Sequence, residues 1–305
     1  MKLLVFSLFL LYCIDVAVAA SPPSVKIAAY KGNKAAAVCY TFDDGLRNQY
    51  LLAAPIMEKT GINGTFFIVA GKIAATKADA DTIKHGKWEV MCWDEVKDLS
   101  NRGFEIGSHG ITHRNLVENI KDINEIRREI EESAHMIREK IDVRPISICY
   151  PYNAFNEEIQ RIADKTYAVD RTFQRGIGKH DVNADALNDW INFLINNRDR
   201  GVGMIHGLGD GFDPLLPEVL AEHLQYVKSR EKDIWIDTFG NIGRYIKERD
   251  AAEIKVIEQT EKSITFCIHT GLEPELFNEP LTVIINDAIM VDCIPDGNPV
   301  TLRLK

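Results

Sequence analysis

The stretch AAVCYTFDDG, residues 36–45, joins an apolar run to two carboxylates and a glycine. The run Ala36–Phe42 predicts a buried β-strand, and Asp43 and Asp44 stand at its carboxyl end. Further short apolar runs alternate with helical segments up to about residue 248, at 64–69, 105–108, 147–150, 202–206 and 234–237. Such alternation indicates an α/β fold with a parallel sheet or barrel, whose catalytic residues lie at the carboxyl ends of the strands.

The helical segments are amphipathic. The longest is predicted over Glu118–Lys140, and its interleaved acidic and basic side chains indicate a solvated face. After about residue 250 the pattern changes to strands at 255–258, 263–269, 281–285 and 300–304, divided by turn-rich stretches. The sequence therefore predicts a catalytic domain over 21–250 and a small all-β domain over 251–305.

Composition and the first residues indicate an exported protein. The chain has 305 residues, is 46% hydrophobic and carries a formal net charge of -9, which disfavours nucleic acid as a partner. Residues 1–20 have one lysine, a short apolar run and Ala17-Val18-Ala19, which together predict a cleaved signal peptide. We expect a periplasmic, cell-surface or secreted protein without an integral membrane segment after signal removal. Three of the five later cysteines, Cys39, Cys149 and Cys267, lie in apolar strand-like runs and are interpreted as small buried hydrophobes; a Cys267–Cys293 bridge is the alternative.

A second polar cluster, SHGITH at residues 108–113, offers two imidazoles four residues apart. Asp-Asp-Gly alone commonly marks a turn, and a lone HxxxH pair is weak as a signal. Together they supply one carboxylate and two imidazoles for a divalent metal, and a second carboxylate that is free to act as a base. Adjacent strand residues point to opposite faces, so both aspartates can serve one site only if the chain turns at Asp44-Gly45.

With these two motifs, residues 33–248 resemble the polysaccharide deacetylase (NodB-like) family of carbohydrate esterases. The resemblance implies a distorted (β/α) barrel that removes acetyl groups from glycans. It implies that Asp43 is the catalytic base and that Asp44, His109 and His113 hold the metal. This donor set suits zinc and also tolerates cobalt, nickel or manganese.

Three further segments are similar to family motifs. In ICYPY, residues 148–152, Pro151 and Tyr152 would line the substrate groove, and Tyr152 would offer a backbone N–H to the oxyanion. The family often has an arginine two residues before this proline, where it orients the base, whereas this chain has Cys149. The charged support of Asp43 is then either missing or supplied from elsewhere.

The remaining two segments lie later in the chain. Asn188-Asp189-Trp190 resembles the fourth motif, in which Asp189 would polarise the catalytic histidine and Trp190 would wall the acetyl pocket. Met204-Ile205-His206 resembles the fifth motif, in which His206 is the general acid. The stretch 209–213 is interpreted either as a groove wall or as a plain loop. The other histidines fit no motif and are interpreted as surface or ordinary polar positions; they are His85, His135, His180, His223 and His269.

These residues favour a hydrolase that removes N-acetyl groups from a chitin-like, peptidoglycan or other N-acetylglucosamine-like glycan. An O-acetyl esterase of the acetylxylan type is an alternative that the same residues allow. A C–N hydrolase of small cyclic amides is a third reading, which the export signal disfavours. The fourth is a non-catalytic glycan-binding protein, to which the Cys149 departure gives some weight.

Overall fold

The computed structural model describes residues 24–179 and 181–304. The predicted signal peptide lies outside the described residues. The strands, in chain order, are β1 Val25–Ile27, β2 Ala36–Phe42, β3 Thr65–Ile68, β4 Lys84–His85, β5 Trp88–Glu89, β6 Glu105–Ser108, β7 Ser147–Cys149, β8 Val169–Arg171, β9 Arg175–Gly176, β10 Arg200–Ile205, β11 Ile234–Ile236, β12 Glu253–Gln259, β13 Ser263–His269, β14 Leu281–Ile285, β15 Ile289–Cys293 and β16 Val300–Arg303. The α-helices are α1 Ala54–Thr60, α2 Lys77–Ala80, α3 Trp93–Asn101, α4 Ile123–Arg127, α5 Ser133–Ile141, α6 Glu157–Ala163, α7 Ala184–Asn197, α8 Pro217–Ser229 and α9 Phe239–Ala251.

Eight parallel strands form the central sheet, in the order β8-β7-β6-β3-β2-β10-β9, and β11 also pairs with β2. β10 pairs with β2 along its length, whereas β11 pairs with residues 36–38 and β3 with residues 41–42 of β2. The α/β prediction is confirmed. The sheet brings the carboxyl ends of β2, β6, β7, β8 and β10 to one edge, where the predicted motifs lie.

β2 is buried on both faces, and its side chains alternate between two hydrophobic clusters. Val38, Tyr40 and Phe42 pack in one cluster with residues of α1, α3, α5, α7 and α8. Ala37 and Cys39 pack in the other, together with residues of α9 and of the C-terminal strands. By this period of two, Asp43 continues the second face, whereas an unbroken strand would direct Asp44 to the first.

The predicted strands exist, but the longest predicted helix differs from the structure and several strands were not predicted. The helix predicted to begin at Glu118 begins at Ile123, because Asp122 caps it by accepting a hydrogen bond from the Asn124 N–H at 2.9 Å. It then passes through a π-helical segment, Arg128–Glu132, into α5. The sequence did not predict the short strands β1, β4, β5, β8 and β9 or the strand β15.

The C-terminal strands form two antiparallel three-stranded sheets, ordered β1-β14-β15 and β12-β13-β16. β1 enters the first of these by pairing Lys26 with Ile284, so the N-terminal strand completes the C-terminal unit. The two units also share a core, since Phe239 of α9 clusters with Phe266 and Val283.

The five cysteines of the described residues are free, and four of them are buried. This finding contradicts the alternative of a Cys267–Cys293 bridge. Cys39 and Cys149 are buried as predicted, whereas Cys267 is half-buried. Across 24–179 and 181–304, no helix combines the length and the apolar character needed to cross a membrane.

Candidate active site

A cavity of about 390 Å³ opens at the edge where the parallel strands end. Six of the predicted site residues line it: Asp43, Asp44, His109, His113, Tyr152 and His206. The structure thus gathers side chains from the ends of β2, β6, β7 and β10 into one concavity, as parallel strands require. Other residues that line it were not predicted for the site, among them His85, Trp88, Arg171 and Gln174; Phe212 comes from 209–213, for which a groove wall was one of two interpretations.

The chain turns sharply at the end of β2, so that both aspartates face this cavity. Asp44 has φ +76° and Gly45 has φ +67°. A positive φ is costly for an aspartate and free for a glycine, so the turn stores strain at the candidate site. A side chain at Gly45 would bring a Cβ within 2.9 Å of Ile73 Cδ1. The turn that the sequence required is therefore present.

Asp44, His109 and His113 form a compact donor set. Asp44 Oδ1 lies 3.2 Å from His113 Nε2 and 3.6 Å from His109 Nε2. This oxygen is buried and has no hydrogen-bond partner in the described part of the chain. A buried carboxylate oxygen without a partner is costly, and a divalent cation beside two imidazoles would satisfy it. The residues therefore fit a divalent metal.

The protonation of His109 suits this role. Its Nδ1 lies 3.0 Å from the Cys149 carbonyl oxygen, so Nδ1–H donates to that carbonyl and Nε2 keeps its lone pair for the metal. The tautomer is assigned from this hydrogen bond. Burial lowers the pKa of His109 to about 4, which keeps the ring neutral at pH 7.

Glu129 shapes the loop that carries His113. This buried carboxylate accepts hydrogen bonds from the backbone N–H groups of Ile111 and Thr112, each at 2.9 Å, and from the Thr112 hydroxyl. His113 itself has φ +62°, a strained conformation that the anchored loop maintains. Glu129 belongs to the segment whose charges were predicted to be solvated. For this residue the prediction is wrong, because its carboxylate is buried and accepts hydrogen bonds from Ile111 and Thr112.

Arg171, at the end of β8, supplies the charged support of Asp43. Its Nη1 donates to Asp43 Oδ1 at 2.7 Å and to Thr41 Oγ1 at 2.8 Å, and its Nη2 donates to Asp43 Oδ2 at 2.5 Å. Burial acts to raise the pKa of Asp43, but the Arg171 guanidinium outweighs it and holds the pKa below its usual range. The open question at Cys149 is thereby answered: the arginine comes from the neighbouring strand.

A second cluster that could hold a metal by proximity consists of Asp43, His109 and Cys149. It fits a cation poorly. Arg171 already occupies both oxygens of Asp43, and burial raises the pKa of the Cys149 thiol well above its ordinary value, so the thiolate that a metal requires is disfavoured.

His206 follows β10 and lies beside the carboxyl end of β2. The Gln49 amide Nε2 donates to the carbonyl oxygens of Asp43 and His206, at 2.5 and 2.6 Å, and ties the two strand ends together. The His206 ring meets the ring of Phe212 edge to face, with centroids 5.2 Å apart. Phe212 belongs to the stretch 209–213, which therefore forms part of the wall.

The structure does not bring Asp189 and Trp190 to the cavity. Both lie on α7, where Trp190 is buried with Leu187 and Ile191 in the core and carries Arg175 over its ring. The predicted roles of polarising His206 and walling the acetyl pocket are corrected, because this helix packs on the outside of the sheet. Pro151 is also buried and does not line the cavity, whereas Tyr152 does.

Tyr152 stands at the mouth of the cavity with φ +59° and a side chain that is 68% exposed. Its ring lies 4.9 Å from that of His113. Trp88 lines another side and donates from Nε1 to Asp210 Oδ1 at 3.3 Å, which links the β4–β5 hairpin to the stretch 209–213. Besides the histidines, four aromatic side chains line the cavity and its mouth: Trp88, Tyr150, Tyr152 and Phe212.

Among the unpredicted residues, Arg171 had a weak sequence signal. Asp170 and Arg171 follow the apolar run Tyr167-Ala168-Val169, the same pattern of an apolar strand followed by polar residues that marked the other strands. His85 carried no comparable signal, because its hairpin is short and its neighbours are polar.

Comparisons with known proteins bear on the sequence and the fold of this chain. Residues 30–168 match the sequence profile of the polysaccharide deacetylase family. YxkH of Bacillus subtilis (strain 168), whose name places it among the polysaccharide deacetylases, is 28% identical over 152 residues, which cover 50% of this chain and 50% of YxkH. Gellan lyase from Bacillus sp is 22% identical over 298 residues, which cover 85% of this chain and 11% of the lyase. The chain thus spans half the length of one curated relative and about a tenth of the other.

Among solved structures, the Bc1960 peptidoglycan N-acetylglucosamine deacetylase superposes with a TM-score of 0.51 at 20% sequence identity, covering 69% of this chain and 88% of that one. This likeness confirms the predicted distorted barrel. The resemblance to the polysaccharide deacetylases, a family of carbohydrate hydrolases, is therefore confirmed in sequence and in fold.

Proposed function

We propose that this polysaccharide deacetylase relative hydrolyses N-acetyl groups on a glycan with the help of a divalent metal. The observation that carries the proposal is the different pairing of two adjacent carboxylates. Asp43 is neutralised by a buried guanidinium, whereas Asp44 faces two imidazoles with one oxygen lacking a partner. Two carboxylates in one cavity with distinct surroundings indicate distinct roles.

Asp44, His109 and His113 would hold the metal, with zinc as the first candidate and cobalt, nickel or manganese as others. When bound, such an ion lowers the pKa of water toward about 7 and polarises an acyl oxygen. Because the site opens into the cavity, a substrate acetyl group can approach it.

Asp43 is the proposed base. With its pKa held low by Arg171, it is a carboxylate across the neutral range and can accept the proton of an attacking water. Each carboxylate oxygen offers two lone pairs, so the two contacts with Arg171 leave acceptor capacity. Arg171 orients this base and remains charged throughout the reaction.

His206 is the proposed acid, because it lines the same cavity as Asp43. An amine leaves poorly without a proton, so an amide substrate depends on this residue more than an ester does. The N-acetyl and O-acetyl readings therefore differ in how strongly the loss of His206 should reduce turnover.

The aromatic rings of Trp88, Tyr152 and Phe212 suit a sugar substrate, since the apolar faces of pyranose rings pack on exposed aromatic side chains. We place the reaction in residues 21–250, assign 251–305 to the small all-β domain braced by β1, and propose that the protein acts after export.

The test is acetate release from chito-oligosaccharides, peptidoglycan fragments and acetylated xylan, with zinc, with cobalt and with a chelator. Metal-dependent release from the N-acetylated members supports the proposal, and release from acetylated xylan alone would replace it with the esterase. Asp43→Asn should retain metal and lose turnover, whereas His135→Ala, an exposed histidine on α5, is the matched control and should change neither. Glycan binding without turnover in the metal-loaded wild type would favour the non-catalytic alternative.

A further inference from the structure

A third imidazole stands beside the candidate metal site, on a segment outside the sequence motifs. His85 Nε2 lies 3.8 Å from Asp44 Oδ2, and the His85 ring lies 4.8 Å from the ring of His113. The His85 side chain is only 12% exposed. Of the two sequence interpretations, a surface or an ordinary polar position, the surface position is wrong, because the hairpin folds His85 into the cavity.

The hairpin that carries His85 is braced against the turn that carries Asp44. Lys84 and Glu89 pair across the hairpin at 3.0 Å, and Leu46 forms a backbone bridge with Val90. The Met91 N–H donates to the Gly45 carbonyl at 2.9 Å. The two backbone contacts, and not the exposed Lys84–Glu89 pair, hold the hairpin beside the strained turn at the end of β2.

Lys72 determines which nitrogen of His85 carries the proton. Its Nζ lies 3.4 Å from His85 Nδ1. An ammonium group donates and does not accept, so Nδ1 accepts and the proton is on Nε2, which faces Asp44 Oδ2. Lys72 in turn belongs to a short turn whose Ala70 and Gly71 N–H groups donate to the carbonyls of Gly110 and Ile111, at 2.9 and 3.0 Å.

We propose that Lys72 and His85 form an outer layer of the metal site and act as positioning residues. The Nε2–H of His85 lies 3.8 Å from Asp44 Oδ2, beyond hydrogen-bond distance, so it acts on that oxygen electrostatically and favours the carboxylate orientation in which Oδ1 faces His109 and His113. Lys72 holds the His85 tautomer and joins the hairpin to the loop of His113. The inference rests on the proposed function, since it presupposes a metal on Asp44. Outer partners of this kind typically change metal affinity by about 10–100-fold.

The experiment measures zinc affinity of the full chain by competition with a chromophoric chelator, without any substrate. His85→Leu removes the donor and should weaken zinc binding by about 10–100-fold. His85→Gln keeps a donor for Asp44 and an acceptor for Lys72, and should recover most of the affinity. Lys72→Met should weaken binding less than His85→Leu. Lys84→Met, next to His85 but paired with Glu89, is the matched control and should bind as the wild type does.

The cobalt(II) form separates an outer role from direct ligation. If His85 is an outer residue, His85→Leu keeps the energies of the visible cobalt bands, because the ligand set is unchanged. A shift of those bands, or wild-type zinc affinity in His85→Leu, would overturn the inference. Circular dichroism of the metal-free variants establishes that each one folds. If the wild type bound no zinc, the proposed metal site itself would be refuted. If the wild type bound zinc and His85→Leu bound it with the same affinity, only the role of His85 would be refuted.

Discussion

Replacing Arg171 with methionine should raise the pKa of Asp43, so that this base becomes protonated at acidic pH values where the wild-type carboxylate is still ionised. Three short contacts join the Arg171 guanidinium to Asp43 and Thr41, and both charged side chains are almost fully buried, with 3% and 4% exposed. Methionine fills much of the space but leaves the carboxylate without its counter-charge. Removing one partner of a buried pair costs about 3–5 kcal/mol, because the remaining charge stays uncompensated.

The variant can lower this cost by protonating Asp43. Burial then becomes the dominant influence and raises the pKa of Asp43, in contrast to its lowered value beside Arg171. A nearby opposite charge commonly changes the pKa of a carboxyl by about 1–3 units. The acid limb of kcat/KM, which reports the deprotonated base, should therefore move to higher pH by about 1–3 units.

The assay is kcat/KM for acetate release from about pH 4 to 9, with urea unfolding of the same proteins. Arg171→Lys should shift the limb less than Arg171→Met, and Arg175→Met, at the exposed arginine that begins β9, is the control and should leave it unchanged. Adding Cys149→Arg to Arg171→Met tests the relocation directly, since Cys149 Sγ lies 3.9 Å from Asp43 Oδ1; we expect part of the shift to be reversed. A folded Arg171→Met protein with the wild-type acid limb would refute the reasoning.

Three further outcomes are expected. Trp88→Ala should raise KM for long glycans with little change in kcat, because the ring lines the cavity but lies outside the proposed acid–base residues; equal effects on long and short substrates would contradict this role. Zinc at 100 times its Kd should stabilise the wild type against unfolding by about 2.7 kcal/mol, and Asp44→Asn should lose that gain in a titration followed by melting temperature. Burial raises the pKa of Glu248 to about 7, so the folded state holds a proton that the unfolded state releases near pH 4.5; the contribution of Glu248 to stability should fall by about 3 kcal/mol as the pH rises from 4.5 to 7. Buried neutral His109 contributes with the opposite sign, so the measurement is the difference between the wild type and Glu248→Gln in urea unfolding at both pH values.

Much of the fold followed from local patterns. Apolar runs of four to seven residues predicted the main strands, and β2, β6, β13 and β14 have the predicted bounds. Such runs are informative because a strand buried on both faces needs apolar side chains at nearly every position. The shortest strands were not predicted, because segments of two or three residues, such as β4 and β9, are too short to show the two-residue periodicity of a strand.

The residues of the candidate site were likewise predicted in part. The compact motifs Asp43-Asp44-Gly45 and His109–His113 were readable, because their ligand spacing and the required turn are local properties, and the structure gathers them in one cavity. The pair Asp189 and Trp190 was misplaced, because a short motif on a helix does not reveal which face of that helix meets the sheet.

The sequence by itself determined the α/β class, the strand-end location of the site and the identity of its central carboxylates and imidazoles, all of which depend on residues close along the chain. Only the tertiary structure decided what stands around them. Arg171 reaches Asp43 across 128 positions of sequence, His85 approaches Asp44 from a separate hairpin, and Lys72 contacts His85 from a separate turn. Such partners are selected by proximity between strand ends and loops, and pairing across a sheet depends on strand order, which no local pattern encodes.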